Sequence, residues 1–223
     1  TVAVVAGDTE AGPRRLMVGA LDSEPVEAIS ARTVAGPTFH PVDGRVWALV
    51  DGTRLLRIGI GGGEPSVQSM DARPILALGA TISDLRIDQS GARIAVVADG
   101  QVFIGALSEE TGQPIAGTFR QIGRTLGQTA TSVAWRDRST VVVGRDTAEA
   151  PVVTISVDGA ITEPLSQRNI SGPVTAVAAA GREVYAVDQR SLLRLDTGAE
   201  TSDRYWREIN GLAAIRAEPV VAG

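Results

Sequence analysis

The groups able to do chemistry in this chain recur at regular distances. Aspartates stand at positions 8, 51, 99, 146 and 188, at intervals of 43, 48, 47 and 42 residues. A ring of carboxylates suggests a cation site, but a metal needs its ligands within about 2.0–2.6 Å. Carboxylates carried part-way out along separate repeats do not converge to that distance. Turn chemistry accounts for them better. Asp bonds backbone two residues on, and the Gly that follows at 52 and 100 supplies a positive φ.

A second register is cationic: Arg32…Gly36, Arg73…Gly79, Arg124…Gly127 and Arg168…Gly172. Guanidinium groups in a ring can hold an anionic ligand or an acidic partner segment. They can also pair with the recurring aspartates as a structural link. Arg32, Arg73, Arg124 and Arg168 are the candidate binding residues.

The remaining reactive groups are sparse. His40 is the only histidine, so any Ser-His-Asp triad would have to use it. It lies in the turn of residues 39–44, where other repeats have Asp88 or Arg136, and it reads as a solvated turn residue. No G-x-S-x-G elbow is present. Glu109 and Glu110 are adjacent in a long flexible loop, and do not face each other across a bond as a glycosidase requires. Gly59–Gly63 lacks the Lys-Ser/Thr ending of a phosphate loop. Asn169-Ile170-Ser171 matches a glycosylation acceptor only formally. No catalytic residue, metal ligand or cofactor is assigned.

The elements that must position these groups are short strands. Residues 39–50, 87–97, 135–143 and 177–187 each read as strand, polar turn, strand. Each is followed by an acidic turn, a third strand and a more polar fourth strand. Residues 2–5, 16–21 and 26–29 match strands two, three and four with no first strand. Residues 212–216 match a first strand with nothing after it. Four strands in a period of 40–50 residues is the propeller signature. The expected fold is therefore all-β: a β-propeller of about five four-stranded blades, its ring closed by the C-terminal strand pairing with the N-terminal strands. Such closure removes exposed sheet edges. A single domain spanning 1–223 is expected. The expected first strands carry one acidic residue, Asp84, which argues against a channel active site. Trp47 and Trp135 read as core, and Tyr205-Trp206 as packing on an outer strand.

Composition narrows the function classes. The 223 residues are 43% hydrophobic with net charge −5, no cysteine and no lysine. Disulfides, thiol catalysis and lysine Schiff bases are excluded. An acidic chain without a basic tract is a poor nucleic-acid binder. No apolar stretch is long enough for a transmembrane helix. The start lacks an initiator Met and a positively charged leader, and so reads as a fragment; the end reads as a natural terminus.

The run from Pro41 to Gly52, with that from Asp88 to Val97, resembles the C-terminal propeller of the LpqB lipoprotein family of actinobacteria. The resemblance runs over the whole chain. It implies an exported protein, attached to the membrane only through an acylated Cys upstream of this fragment. It also implies a partner, the extracytoplasmic domain of the Mtr sensor histidine kinase, and an effect on cell-wall homeostasis and division. It supplies no catalytic residue. The reading is a non-enzymatic binding module; the alternatives are a sensor of a small anionic or glycan ligand at the channel mouth, and a hydrolase with a cryptic channel site at Asp84.

Overall fold

The computed structural model describes residues 2–7, 12–19, 24–59, 64–159, 161–165, 169–170, 172–180, 183–188, 191–196 and 205–209. Asp8, Arg168, residues 60–63, Ser171, residues 210–211 and the closing strand expected at 212–216 lie outside them.

Nineteen described strands form five antiparallel meanders. The chain divides into two compact units. The first comprises Thr1–Asp99 and Phe103–Arg120, the second Gly100–Val102 and Gln121–Gly223.

The first unit opens with a three-stranded sheet, β1 (Val2–Gly7), β2 (Arg14–Gly19) and β3 (Val26–Ala31). This matches the expected strands two to four of an incomplete repeat. A four-stranded sheet follows: β4 (Val34–Phe39), β5 (Val46–Val50), β6 (Arg54–Gly59) and β7 (Ser66–Met70). The next is β8 (Ile82–Ile87), β9 (Arg93–Ala98), β10 (Gln101–Ala106) and β11 (Arg120–Ile122). The second unit holds β12 (Ala130–Trp135), β13 (Thr140–Arg145), β14 (Val152–Ser156) and β15 (Ile161–Pro164). It also holds β16 (Ala176–Ala180), β17 (Glu183–Val187), β18 (Leu192–Asp196) and β19 (Tyr205–Glu208). One four-residue helix, α1 (Arg73–Leu76), and a 3-10 turn at Arg124–Leu126 lie between sheets, on segments not expected to be strands.

The second strands explain the continuous apolar runs in the sequence. Every residue of β5 is buried. Its side chains alternate between two clusters: Val46, Ala48 and Val50 pack with Leu16 and Val18, while Trp47 and Leu49 pack with Leu85, Ile87 and Ile94. A strand with both faces covered has no reason to alternate apolar with polar. Each fully buried aliphatic side chain contributes about 1.5–3 kcal/mol, so these strands carry much of the unit's stability. Trp47 and Trp135 are core residues as expected, 0% and 5% exposed. Trp206 is buried in the second unit's core with Leu193 and Leu195.

First strands pack against first strands: β4 beside β8 in the first unit, β12 beside β16 in the second. A bulge interrupts β4, β8 and β12 near their starts. In β4 the bulge contains Gly36, at φ +45°; a Cβ there would meet the Leu85 nitrogen at 2.5 Å. The two backbones approach so closely that only glycine fits.

Candidate functional site

The recurring aspartates sit at the turns between second and third strands. Asp51 and Gly52 have φ of 52° and 65°, and Asp99 and Gly100 have 47° and 72°. Two consecutive positive φ values define the type I′ hairpin turn, whose twist matches that of the strands. The carboxylates of Asp51 and Asp99, however, reach beyond their own turns. Asp51 Oδ1 accepts the backbone N–H of Arg32 at 2.8 Å. Asp99 accepts those of Ala80 at 3.0 Å and Thr81 at 2.8 Å. Each carboxylate thus reaches back 18 or 19 residues and ties the entry of its sheet's first strand to the turn between its second and third strands. The backbone repeats the link, with Asp51 N–H donating to Thr33, Asp99 to Thr81 and Asp146 to Thr129. Asp188 is the exception, accepting the N–H of Ser191 within its own turn.

Only at Asp51 does the amide belong to a register arginine, Arg32; Asp99 takes those of Ala80 and Thr81. The structural link runs from carboxylate to backbone amide, not from carboxylate to guanidinium. Asp51 lies below its ordinary value, chiefly because the Arg32 amide holds the charged form. Its cationic partner is Arg54, at 3.2 Å.

The candidate arginines divide accordingly. Arg32, directly before β4, has an exposed side chain with no ion pair among the described residues. Arg73 pairs with Asp71 rather than with its turn aspartate, at 2.7 Å and with its side chain 88% exposed. This pair holds Asp71 down at about 2. Arg73 also borders a cleft of about 340 Å³ with Asp71, Pro74, Leu78 and Phe119. Arg124, on the 3-10 turn before β12, is exposed and likewise has no ion pair among the described residues.

Asp84 is 4% exposed. Its Oδ1 accepts the N–H of Leu85 and lies 2.9 Å from the Arg86 guanidinium. This carboxylate is engaged in the packing of β4 against β8. No group of three or more His, Asp or Glu able to hold a metal ion occurs among the described residues. No helix among them is long and apolar enough to cross a membrane.

His40 departs from expectation. It is 7% exposed, not solvated, and stacks on Trp47 with ring centroids 5.6 Å apart and an interplanar angle of 16°. The cause lies in the turn. The corresponding position in the next sheet is Asp88, whose Oδ1 accepts the N–H groups of Ala92 and Arg93 at 3.1 Å. An imidazole cannot fold back to accept both of those amides, so it lies over the neighbouring indole instead. The loop of residues 108–117 is also better held than expected. Ser108 donates to the Gln113 carbonyl at 2.8 Å, Gly112 to the Ser108 carbonyl at 2.7 Å and Ile115 to the Ala106 carbonyl at 3.0 Å. Together these elements wall a cleft of about 490 Å³, lined by His40, Asp43, Arg57, Ser90, Glu109 and Glu110 among others. Sequence reasoning missed it because each residue looks ordinary alone. The available signal was His40 replacing the turn aspartate.

The chain matches a family model described as the lipoprotein LpqB β-propeller domain over residues 1–222. Lipoprotein LpqB of Rhodococcus opacus is 36% identical over 211 residues, covering 93% of this chain and 35% of that protein. Lipoprotein LpqB of Corynebacterium jeikeium is 34% identical over 227 residues, covering 99% and 38%. The chain therefore spans little more than a third of the curated relatives it matches. Among solved structures, the β-propeller domain of Cps50 (Swd1) from Myceliophteria thermophila matches with a TM-score of 0.55 at 11% identity, covering 84% of this chain and 77% of that one. A crystal structure of a nidogen/laminin complex matches with 0.53 at 14%, covering 87% and 88%. Both likenesses concern the fold. From the repeating four-stranded sheets and the match across nearly its whole length, this chain belongs to the lipoprotein LpqB β-propeller domain family.

Proposed function

We propose that this chain is a non-enzymatic binding and regulatory module of a lipid-anchored, extracytoplasmic lipoprotein. In this reading the five sheets are blades of one ring, completed by residues 212–216 pairing with β1. The module associates with the extracytoplasmic domain of the Mtr sensor histidine kinase and so affects cell-wall homeostasis and division. The upstream acylated Cys supplies the only membrane attachment. The contact surface is the register Arg32, Arg73, Arg124 and Arg168, which recurs with the repeat in the sequence.

One observation carries the choice of surface. The carboxylates of Asp51 and Asp99 are held by backbone amides, while Arg32 and Arg124 stay exposed without ion pairs among the described residues. An unpaired guanidinium is a planar fork of donors suited to a carboxylate on another protein. Charges of this kind steer encounter and fix orientation more than they add raw affinity.

The test is a double charge reversal, Arg32→Glu with Arg124→Glu, titrated against the purified kinase ectodomain. Affinity should fall by about tenfold or more, the equivalent of ~1.4 kcal/mol, and the association rate should lose much of its salt dependence. Thermal stability should stay unchanged, because neither guanidinium holds the fold. Absence of binding by the unaltered chain, or equal affinity of the double variant, refutes the reading.

A further inference from the structure

We propose that the cleft at the exit of β4 is a binding site for a small, neutral, hydroxyl-rich ligand of simple-sugar size. The site is independent of the arginine register: Arg32 precedes the first residue of β4, and His40 follows the last.

The argument rests on where unmet hydrogen-bonding capacity collects. Six buried side-chain nitrogen or oxygen atoms among the described residues have no hydrogen-bond partner within the protein. Four of the six occur together: His40 Nδ1 and Nε2, Trp47 Nε1 and Arg57 Nε. The imidazole stacks on the indole, and His40 Nδ1 lies 3.3 Å from Asp43 Oδ1 without hydrogen-bond alignment. Asp43 in turn pairs with the Arg57 guanidinium. Native folds rarely leave buried polar atoms unmatched, and a local cluster of them calls for a partner.

The chemistry of the three unpartnered atoms on lining residues, His40 Nδ1 and Nε2 and Arg57 Nε, selects that partner. A guanidinium nitrogen only donates, whereas a neutral imidazole offers one donor and one acceptor. The ligand must therefore present several acceptors and at least one donor, which hydroxyl groups supply together. Charge narrows the choice further. Arg57 is already matched by Asp43, while Glu109 and Glu110 stand exposed at the rim with no ion pair among the described residues. An anion meets their repulsion, and a cation meets the Arg57 guanidinium at the floor. A neutral polyol donates to the rim carboxylates and accepts from the floor.

The shape agrees. A cleft of about 490 Å³ lies within the range of small-molecule sites. Gly91 and Gly112 line it, and a Cβ on them would lie 3.3 Å and 3.8 Å from His40 Nε2, so no side chain shields the imidazole edge there. The unpartnered atoms are closed to solvent, so the ligand must displace the turn around Glu109–Thr111 from the bonds that Ser108 makes to Thr111 and Gly112. Val42, 75% exposed on the opposite lip, offers an apolar contact.

His40 is the only histidine, so its imidazole gives one unambiguous NMR signal. The chain is titrated with glucose and N-acetylglucosamine as neutral probes, and with glucuronate and glucosamine as anionic and cationic comparators. A neutral probe should shift the His40 signal and one of the three indole N–H signals saturably, with a millimolar Kd. Either charged comparator should bind about tenfold more weakly or not at all. His40→Phe should abolish binding while preserving the stack on Trp47. Should that variant fail to fold, Val42→Trp blocks the cleft from an exposed position and must abolish the shifts without lowering thermal stability. No saturable shift with either neutral probe, a charged comparator that binds as well as they do, or shifts that survive Val42→Trp would each overturn the proposal.

Discussion

The close approach of β4 to β8 can be measured with two glycines. Gly36 and Gly44 both hold a positive φ, at 45° and 66°. A Cβ at Gly44 meets nothing within 4 Å. A Cβ at Gly36 meets the Leu85 nitrogen at 2.5 Å, Asp84 Oδ1 at 2.6 Å and the Leu85 carbonyl oxygen at 2.8 Å. Gly44→Ala should therefore cost only the left-handed backbone penalty, about 1–2 kcal/mol. Gly36→Ala adds overpacking of about 1–3 kcal/mol, for a total of about 2–5 kcal/mol. The overlap cannot be relieved by rotating a flexible side chain, because two of the three atoms are backbone of β8. Urea unfolding followed through tryptophan fluorescence gives the difference from the midpoints, provided the slope stays constant. Trp47, buried in the cluster that includes Leu85, reports on this region. A difference between the two variants below about 1 kcal/mol would refute the reasoning, because the steric part is the whole distinction between them.

Other consequences follow from the turn carboxylates. Asp99→Ala removes the acceptor for two backbone N–H groups, and should lower stability by about 1–2 kcal/mol at this exposed position, while Asp99→Asn should recover part of it. Full recovery in Ala, seen as an unchanged melting temperature, would mean the link contributes nothing. Acid stability should follow Asp71, Asp51 and Asp43. Asp71 is held at about 2 by the Arg73 guanidinium, and Asp51 is lowered chiefly by the Arg32 amide. For Asp43, burial pushes upward but is outweighed by the Arg45 amide and the Arg57 guanidinium. A carboxylate depressed in the folded state stabilises above its unfolded pKa, here an ordinary 3.8, and that stability is lost as pH falls through the folded value. Stability should thus hold steady from neutrality to about pH 5 and decline below about pH 4. Carbon-13 titration of the carboxyls checks the origin: Arg73→Gln should return Asp71 towards its ordinary value. An Asp71 midpoint already at or above 3.8 in the unaltered chain would contradict the pairing.

Much of the fold was legible before any coordinate. The strand-turn-strand segments at 39–50 and 87–97 became the β4–β5 and β8–β9 hairpins, because a polar turn with a glycine and an apolar run both act within a few residues. The incomplete first repeat was equally visible, since three strands without a first one leave a characteristic gap. The candidate site was less legible. Aspartate and arginine shared a period, which suggested that they paired with each other. Arg73 instead pairs with Asp71, two residues away, and Asp51 and Asp99 take backbone amides. Side-chain periodicity carries no information about amides, because every residue but proline has one.

His40 shows the same boundary from the other side. A lone histidine in a polar turn looks solvated by local rules. Its burial depends on Trp47 across the β4–β5 hairpin and on the loop of residues 108–112, far along the chain.

The order and type of strands and the positive-φ glycines at 52 and 100 were determined by sequence alone, because propensity and period are local properties. Which polar atom meets which partner was decided only by tertiary structure. Hydrogen bonding demands placement to within a few tenths of an ångström, and here that placement comes from residues 18, 19 or more positions apart.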